Sequence, residues 1–115
     1  MNAEPARIER LTRRPQFLAA AKGLSCAKGA VVVQALARPG QAVIRAGFTA
    51  TRKVGGAVVR NRAKRRLREA ARLLLPVHGA PGFDYVFIAR TGTGGRPWAR
   101  LLDDVKRALI SLAPH

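Results

Sequence analysis

Basic residues crowd the segment RNRAKRRLREAARLLL, which covers residues 60–75. Its first thirteen positions carry seven Arg and Lys side chains and one acid, Glu69. Like charges one turn apart destabilise a helix, by a few tenths of a kcal/mol per pair. A helix with this surface needs a second face that is buried in a core. The concentrated charge also favours a negatively charged partner.

The same segment has a buried stripe at helical spacing. At about 100° per residue, an apolar set falls on one narrow face and predicts packing against a sheet: Ala63, Leu67, Ala70, Ala71 and Leu74. A neighbouring sector carries the charge together with an amide: Arg60, Asn61, Lys64, Arg65, Arg68 and Arg72. Arg62 and Arg66 point further from this sector. The helix therefore predicts a basic surface directly beside the core.

Composition supports a folded, strongly cationic domain. The chain has 115 residues, of which 48% are hydrophobic, so it can bury a core. It carries 22 Lys and Arg against 6 Asp and Glu, a formal charge of +16. Such a potential attracts polyanions, with nucleic acid the first candidate and an anionic membrane the second. We expect one domain over residues 1–115, with a flexible stretch at residues 1–10.

Residues suited to catalysis are scarce. The acids are scattered, and the adjacent Asp103 and Asp104 diverge by about 100° on a helix. His78 and the single Cys26 do not belong to any metal-ligand pattern. We therefore expect neither catalytic nor metal-binding residues in this chain. The sequence lacks a signal-peptide pattern and an apolar run of membrane-spanning length, which predicts a cytoplasmic protein without a membrane partner.

Local patterns predict an α+β fold. The segment RRPQFLAAAKG predicts a short helix with Pro15 at an early position and Gly23 as its stop. The β-rich runs at 30–38 and 42–50 flank Pro39-Gly40, which indicates a hairpin. The order then continues with the basic helix, a loop at 76–82, a strand at 83–90, a loop at 91–97 and a helix at 97–112. The last helix has apolar residues at i, i+3, i+4 and i+7: Trp98, Leu101, Leu102, Val105, Leu109 and Leu112. The expected order is α-β-β-α-β-α, possibly with one extra short strand, in a two-layer sandwich.

The segment GFTATRKVGGAVVRNRAKRRLREAARLL, residues 47–74, resembles the signature region of the protein subunit of bacterial ribonuclease P. The resemblance lies in an Arg-Asn-Arg helix with further basic residues at fixed spacing, preceded by Arg52, Lys53 and Gly55. FDYVFIAR and a final helix follow in the family's order. The likeness extends from Leu11 to Leu112.

The resemblance implies a subunit of an enzyme that removes the 5′ leader from precursor tRNA. In this family the RNA subunit holds the catalytic metal ions, which are magnesium, and the small protein binds that RNA. The expected partners are therefore the catalytic RNA and precursor tRNA, without a protein partner. The family fold also implies a left-handed β-α-β crossover, whereas general rules favour a right-handed one.

Two sets of site residues follow from the resemblance. The catalytic RNA would be bound by the signature helix through Arg60, Asn61, Arg62, Lys64, Arg65 and Arg68. The leader would lie in a cleft between the first helix and the sheet, at Phe17, Gln34, Arg52 and Lys53. A second aromatic residue is common one turn after the first, but this chain has Ala21 there. Leader binding would then depend more on charge and on Gln34 than on stacking.

Other classes of protein share some of these features. A general RNA- or DNA-binding protein of ribosomal or nucleoid type would have the charge and size, but it would not prefer a leader-bearing tRNA. A membrane-surface protein needs large apolar groups opposite its basic face. The large apolar side chains of this helix are expected to be buried in the core, so they are not available to a membrane. A stand-alone nuclease would cleave without added RNA.

Overall fold

The computed structural model describes residues 7–114. These residues form a mixed α+β domain, as the sequence predicts. Its elements in chain order are β1 (Ile8–Arg10), α1 (Arg14–Ala20), β2 (Leu24–Lys28), β3 (Val31–Ala37), β4 (Ile44–Thr49), α2 (Ala57–His78), β5 (Phe83–Ala89) and α3 (Trp98–Ser111). Two short 3₁₀ turns, Arg52–Val54 and Thr93–Gly95, precede α2 and α3.

The strands form one sheet in the order β1-β4-β5-β3-β2. β5 lies at its centre, parallel to β4 and antiparallel to β3. The basic helix α2 therefore connects two adjacent parallel strands, β4 and β5. This is the β-α-β unit that the family resemblance implies, and its left-handed sense stays a prediction.

The two faces of the sheet bury different clusters. Alternate residues of β5, Tyr85 and Phe87, join the main core with α2 and α3. Val86, between them, belongs to a smaller cluster with Leu11 of the segment before α1 and Ala20 of α1. The long helices and the sheet thus make the expected two-layer sandwich. The short α1 covers part of the other face.

The predicted hairpin around Pro39-Gly40 is wrong. β3 and β4 run antiparallel, but β5 lies between them and pairs with both. β5 takes this central place because both of its faces are apolar enough to be buried. The hairpin of this sheet joins β2 to β3 instead, through a tight turn in which Gly29 has a φ of 49°.

Both edge strands lie outside the predicted order, which allowed for one extra strand. β1 pairs in parallel with β4, Ile8 opposite Ile44, and β2 pairs with β3. Residues 8–10, expected to be flexible, are therefore part of the sheet, while residues 1–6 lie outside the described part. Edge strands are difficult to recognise because their side chains need not alternate, and all three residues of β1 are exposed.

Helix α2 is longer at both ends than the sequence suggests. It begins at Ala57, after the N-cap Gly56, and continues through Pro76 to His78, where a loop was predicted. A proline cannot donate to the carbonyl four residues earlier. Here that missing bond falls in the last turn, and Pro76 is exposed, so water can satisfy the carbonyl.

Candidate nucleic-acid interface

Helix α2 carries a shallow groove on its exposed side. Its inner face buries Ala63, Leu67, Ala70, Ala71 and Leu75, four of which belong to the predicted stripe. The predicted Leu74 is only half-buried because Leu75 takes the innermost position. With that face fixed, five outward side chains line a depression of about 470 Å³, hereafter the basic groove: Val58, Asn61, Lys64, Arg65 and Arg68.

The charges of the basic groove are left without acidic partners in the described part of the chain. Each of the five acids within residues 7–114 pairs with an arginine that does not line the groove. The pairs are Arg7–Glu9, Arg38–Asp84, Arg45–Asp84, Arg72–Glu69, Arg96–Asp104 and Arg107–Asp103. Lys64, Arg65 and Arg68 therefore form no ion pair within residues 7–114 and are available to an anionic ligand.

The nearest acid on the helix is neutralised locally. Glu69 accepts hydrogen bonds from Arg72 at 2.5–3.2 Å on the solvent-exposed surface. This bond holds the pKa of Glu69 below its ordinary value and raises the pKa of Arg72. Arg72, which the sequence places in the basic sector, is thus paired within the helix and contributes less charge to a ligand than its neighbours.

The structure does not place all six predicted RNA-binding residues together. Four of them line the basic groove, and Arg68 lies with its guanidinium carbon 5.8 Å from the ring centre of Phe48. Arg60 is half-buried, and its Nε has no hydrogen-bond partner among the described residues. Arg62 lies on the other flank of α2, in a depression with Trp98.

Arg66 has a role that sequence reasoning missed. Its guanidinium donates to the carbonyl oxygens of Thr93, Gly94 and Arg96 at 2.6, 3.0 and 2.5 Å. Its guanidinium carbon also lies 5.7 Å from the ring centre of Trp98. Arg66 therefore ties α2 to the loop before α3. The sequence holds no signal for this, because the acceptors are backbone carbonyls 27–30 residues away.

Two predicted leader residues share the opposite face of the sheet. A Cβ built on Gly47 would lie 2.5 Å from Cε1 of Phe17, so the aromatic ring lies directly over β4. Gln34 of β3 stands in the same cross-strand row, with Val86 between it and Gly47. Phe17 and Gln34 are both half-buried, which leaves part of each side chain accessible.

Arg52 and Lys53 lie in the connection between β4 and α2. They form the 3₁₀ turn Arg52–Val54, and both are exposed. The turn begins three residues after the end of β4, which is the strand that carries Gly47 under Phe17. The chain therefore passes from the α1 face through this basic turn directly into the helix of the basic groove.

Within residues 7–114 there is no group of three His, Cys, Asp or Glu side chains that could hold a metal ion. The described residues therefore offer no cluster of the kind that holds a metal ion by protein side chains alone. The helices within residues 7–114 are too short or too polar to cross a bilayer.

Comparisons with known proteins agree with this architecture. The sequence profile of the family described as Ribonuclease P matches residues 6–113. The ribonuclease P protein component of Caulobacter vibrioides is 65% identical over 108 residues, which cover 93% of this chain and 72% of that protein. The corresponding component of Ruegeria pomeroyi is 55% identical and covers 91% of this chain and 86% of its own length.

Solved structures give the same result. The Thermotoga maritima ribonuclease P protein superimposes with a TM-score of 0.74 and 28% identity, covering 92% of this chain and 99% of that one. The Staphylococcus aureus protein gives 0.75 and 25%, covering 90% and 94%. With a profile match across nearly the whole sequence, this chain belongs to the ribonuclease P protein family.

Proposed function

We infer that this protein is the RNA-binding subunit of ribonuclease P, the ribonucleoprotein endonuclease that removes the 5′ leader from precursor tRNA. The observation that carries this inference is the basic groove, whose cations have no acidic partner within residues 7–114, in a chain of this family. This removal of the leader is proposed to take place in the cytoplasm.

The basic groove is proposed to bind phosphates of the catalytic RNA. Lys64 and Arg68 stand one turn apart on α2, with Arg65 beside them, so the three can follow an RNA backbone along the helix. Asn61 lies among them and can donate to or accept from ribose and phosphate groups. Arg60 and Arg62 extend the positive surface to either side of the groove.

The α1 face is proposed to bind the single-stranded leader. Single strands are held by aromatic stacking together with a basic track. Phe17 supplies the ring, Gln34 supplies an amide in the same row of the sheet, and Arg52 and Lys53 supply charge at the end of β4. Ala21, one turn after Phe17, is exposed and offers no second ring, so the leader site depends strongly on its charges.

The chemistry of cleavage is proposed to reside in the RNA, with magnesium as its metal. The protein's part is to neutralise phosphates, which otherwise repel one another when substrate and catalyst meet.

Reconstitution tests the proposal directly. The purified protein is mixed with the ribonuclease P RNA of the same organism at low magnesium, and 5′ cleavage of a precursor tRNA is measured. We expect the protein and the RNA together to cleave much faster than either alone. If the protein adds nothing to a competent RNA, a general nucleic-acid-binding role replaces the proposed one. Cleavage by the protein alone would indicate a nuclease.

Two sets of variants separate the two surfaces. Arg65→Ala and Arg68→Ala should weaken binding to the catalytic RNA and flatten its log–log salt dependence by about 0.7–0.9 per lost phosphate contact. Phe17→Ala should lower affinity for precursor tRNA more than for mature tRNA. An unchanged salt slope would remove the arginines from the RNA interface. Equal losses for the two tRNAs would remove Phe17 from the leader site.

A further inference from the structure

Trp98 is the largest aromatic side chain of the protein, and it is not in the core. The helical pattern of α3 predicts its burial, but the structure leaves it 37% exposed while Leu101 and Val105 are fully buried. The buried stripe therefore begins one turn later than the sequence suggests. Trp98 instead forms part of a shallow depression of about 390 Å³ on the flank of α2. Its other lining residues are Arg62, Arg65, Arg66 and Glu69.

Arg66 fixes this tryptophan in position. Its guanidinium lies against the indole ring, and it is already bound to three backbone carbonyls of the loop that precedes α3. Arg66 therefore has few donors left for phosphate and acts as a brace between α2, the loop and Trp98. A braced aromatic ring loses little conformational entropy when a planar ligand stacks on it.

The braced loop continues the same surface. The backbone of Gly92, Gly94 and Gly95 forms a second depression of about 350 Å³ with Val54, Val58, Val59 and Arg62. A Cβ built on Gly92, Gly94 or Gly95 would meet no atom within 4 Å, so a ligand can approach the backbone closely there. Arg62 lines both depressions. The surface that runs from residues 92–95 past Arg62 to Trp98 is hereafter the α2 flank.

The charge of the α2 flank favours an anionic ligand. Arg62 and Arg65 have no acidic partner within residues 7–114, while the carboxylate of Glu69 is occupied by Arg72. Arg65 lines both the basic groove and the depression around Trp98. A polyanion lying in the basic groove can therefore reach the α2 flank by crossing the helix at Arg65.

We propose that the α2 flank binds an unpaired segment of RNA, with a base stacked on Trp98 and the adjoining phosphates on Arg62 and Arg65. An accessible aromatic ring beside free arginines is the combination that holds single strands, because each base offers a π-face and each linkage a charge. A duplex hides its base faces and cannot use the ring. The proposal rests on the proposed function, in which this RNA is the catalytic subunit.

Trp98 is the single tryptophan of the chain, so its fluorescence reports the site directly. The probes are a short unstructured oligoribonucleotide, a duplex of the same length and the ribonuclease P RNA. We expect the single strand and the full RNA to quench Trp98, and the duplex to bind without comparable quenching. For the full RNA, Trp98→Leu should lower affinity by about 5- to 150-fold, the usual range for one stacked base.

Three further variants distinguish a loss of RNA contacts from an indirect effect of Trp98→Leu on folding. Trp98→Phe keeps a ring and should recover most of the affinity that Trp98→Leu loses. Arg62→Gln changes an exposed side chain. It should weaken binding of the full RNA and flatten the salt dependence of that binding by about 0.7–0.9 in log–log slope. Lys106→Ala, on the exposed surface of α3 outside the depression, removes the same charge as a matched control and should leave quenching unchanged.

Reconstituted cleavage separates failure of this inference from failure of the proposed function. If the wild-type protein and RNA do not cleave precursor tRNA, the proposed function fails. If they cleave, but the full RNA leaves Trp98 fluorescence unchanged and Trp98→Leu binds within twofold of wild type, the flank site alone is overturned. Equal quenching by duplex and single strand would also overturn it, since stacking would not be the cause.

Discussion

Adjacent arginines of α2 serve different purposes. Arg65 is exposed and lines the basic groove, while Arg66 is partly buried and donates to three carbonyls of the loop before α3. Sequence spacing alone groups both with the other basic residues, and only their tertiary surroundings separate them. Substitution of Arg66 should therefore affect stability more than substitution of Arg65 does, while substitution of Arg65 should affect the salt dependence of RNA binding more.

Arg66→Ala should lower the free energy of unfolding by about 2–3 kcal/mol, because three carbonyls in a part-buried setting lose a charged donor. Arg65→Ala should change it by less than about 0.5 kcal/mol, as exposed positions usually do. Urea unfolding followed by circular dichroism measures both. RNA titrations should give the reverse ranking in salt slope, with Arg65→Ala the more affected. Equal stability losses for the two variants would contradict the bracing role of Arg66.

Tyr85, the single tyrosine, is a second residue with a measurable signature. It is 1% exposed, and its hydroxyl accepts a hydrogen bond from the Ala80 N–H at 2.9 Å. Burial raises its pKa above the unfolded value of about 10. The folded state thus favours the neutral phenol. The stability that this preference supplies is complete below pH about 10 and is lost as pH rises through the folded pKa.

An alkaline titration should therefore show tyrosinate absorbance only above pH about 10. This absorbance should appear together with loss of the circular dichroism signal of the folded protein. Tyr85→Phe leaves the Ala80 N–H without its acceptor, which should cost about 1 kcal/mol at neutral pH. Because this variant lacks the ionisable hydroxyl, its free energy of unfolding should decline less than that of the wild type between neutral and strongly alkaline pH. Tyrosinate formation at or below pH about 10 in a fully folded protein would contradict the burial argument.

At the scale of elements, predictability follows from how much of each element is buried. β5 and α3 bury long stretches, so their apolar patterns indicated them almost to the residue. β1 and β2 are edge strands, and their short runs IER and LSCAK carry no alternation that distinguishes them from a loop. β3 and β4 follow one another in the chain, which predicts that they pair directly. In the sheet β5 lies between them, and the local sequence carries no signal for this insertion.

The candidate site divides in the same way. Four residues of the basic groove follow from helical periodicity once the buried stripe is known. The exposure of Trp98 and the brace from Arg66 depend on where the loop before α3 crosses α2. That crossing is a tertiary contact between segments distant in the chain, so local pattern could not reveal it.

The contact between α1 and β4 gives a prediction for a whole element. A Cβ on Gly47 would lie 2.5 and 2.7 Å from ring atoms of Phe17 and 3.1 Å from Cβ of Leu11. Gly47→Ala should therefore displace the ring and lift the start of α1 from the sheet. Overpacking of this kind costs about 1–3 kcal/mol. Affinity for precursor tRNA should fall relative to mature tRNA, as for Phe17→Ala.

Gly95→Ala is the matched control, because an added Cβ there meets no atom within 4 Å and no positive φ is involved. It should leave stability unchanged or slightly higher, since alanine restricts the unfolded chain. Thermal unfolding of both variants, with precursor and mature tRNA titrations of Gly47→Ala and wild type, completes the comparison. If Gly47→Ala kept full stability and full precursor preference, Phe17 would not depend on this close approach.

At the scale of the whole molecule, the two buried acids of residues 7–114 serve the fold and the surplus bases remain outside. Asp84 is 1% exposed between Arg38 and Arg45, and its hydrogen bond raises the pKa of Arg45. Asp104 is 3% exposed, pairs with Arg96 and accepts the Ala30 N–H at 3.0 Å. Most of the formal charge of +16 is thus left on the surface, where it repels itself in the free protein.

Salt should therefore act with opposite signs on folding and on RNA binding. Raising monovalent salt from about 50 to 200 mM screens the self-repulsion, so the melting temperature of the free protein should rise. The same change should weaken the complex with catalytic RNA, because counterions released into more concentrated salt gain less entropy. Five phosphate contacts, from Arg60, Arg62, Lys64, Arg65 and Arg68, give an expected log–log slope of about 3.5–4.5.

Calorimetry of the free protein and RNA titrations over the same salt series measure the two effects. Potassium chloride and potassium glutamate should raise the melting temperature similarly at equal ionic strength, because screening does not depend on the anion's identity. A rise with only one of the salts would indicate binding of that anion instead. If salt lowered both stability and affinity, the exposed charges would not be the common cause, and the surplus of cations would not be held for RNA.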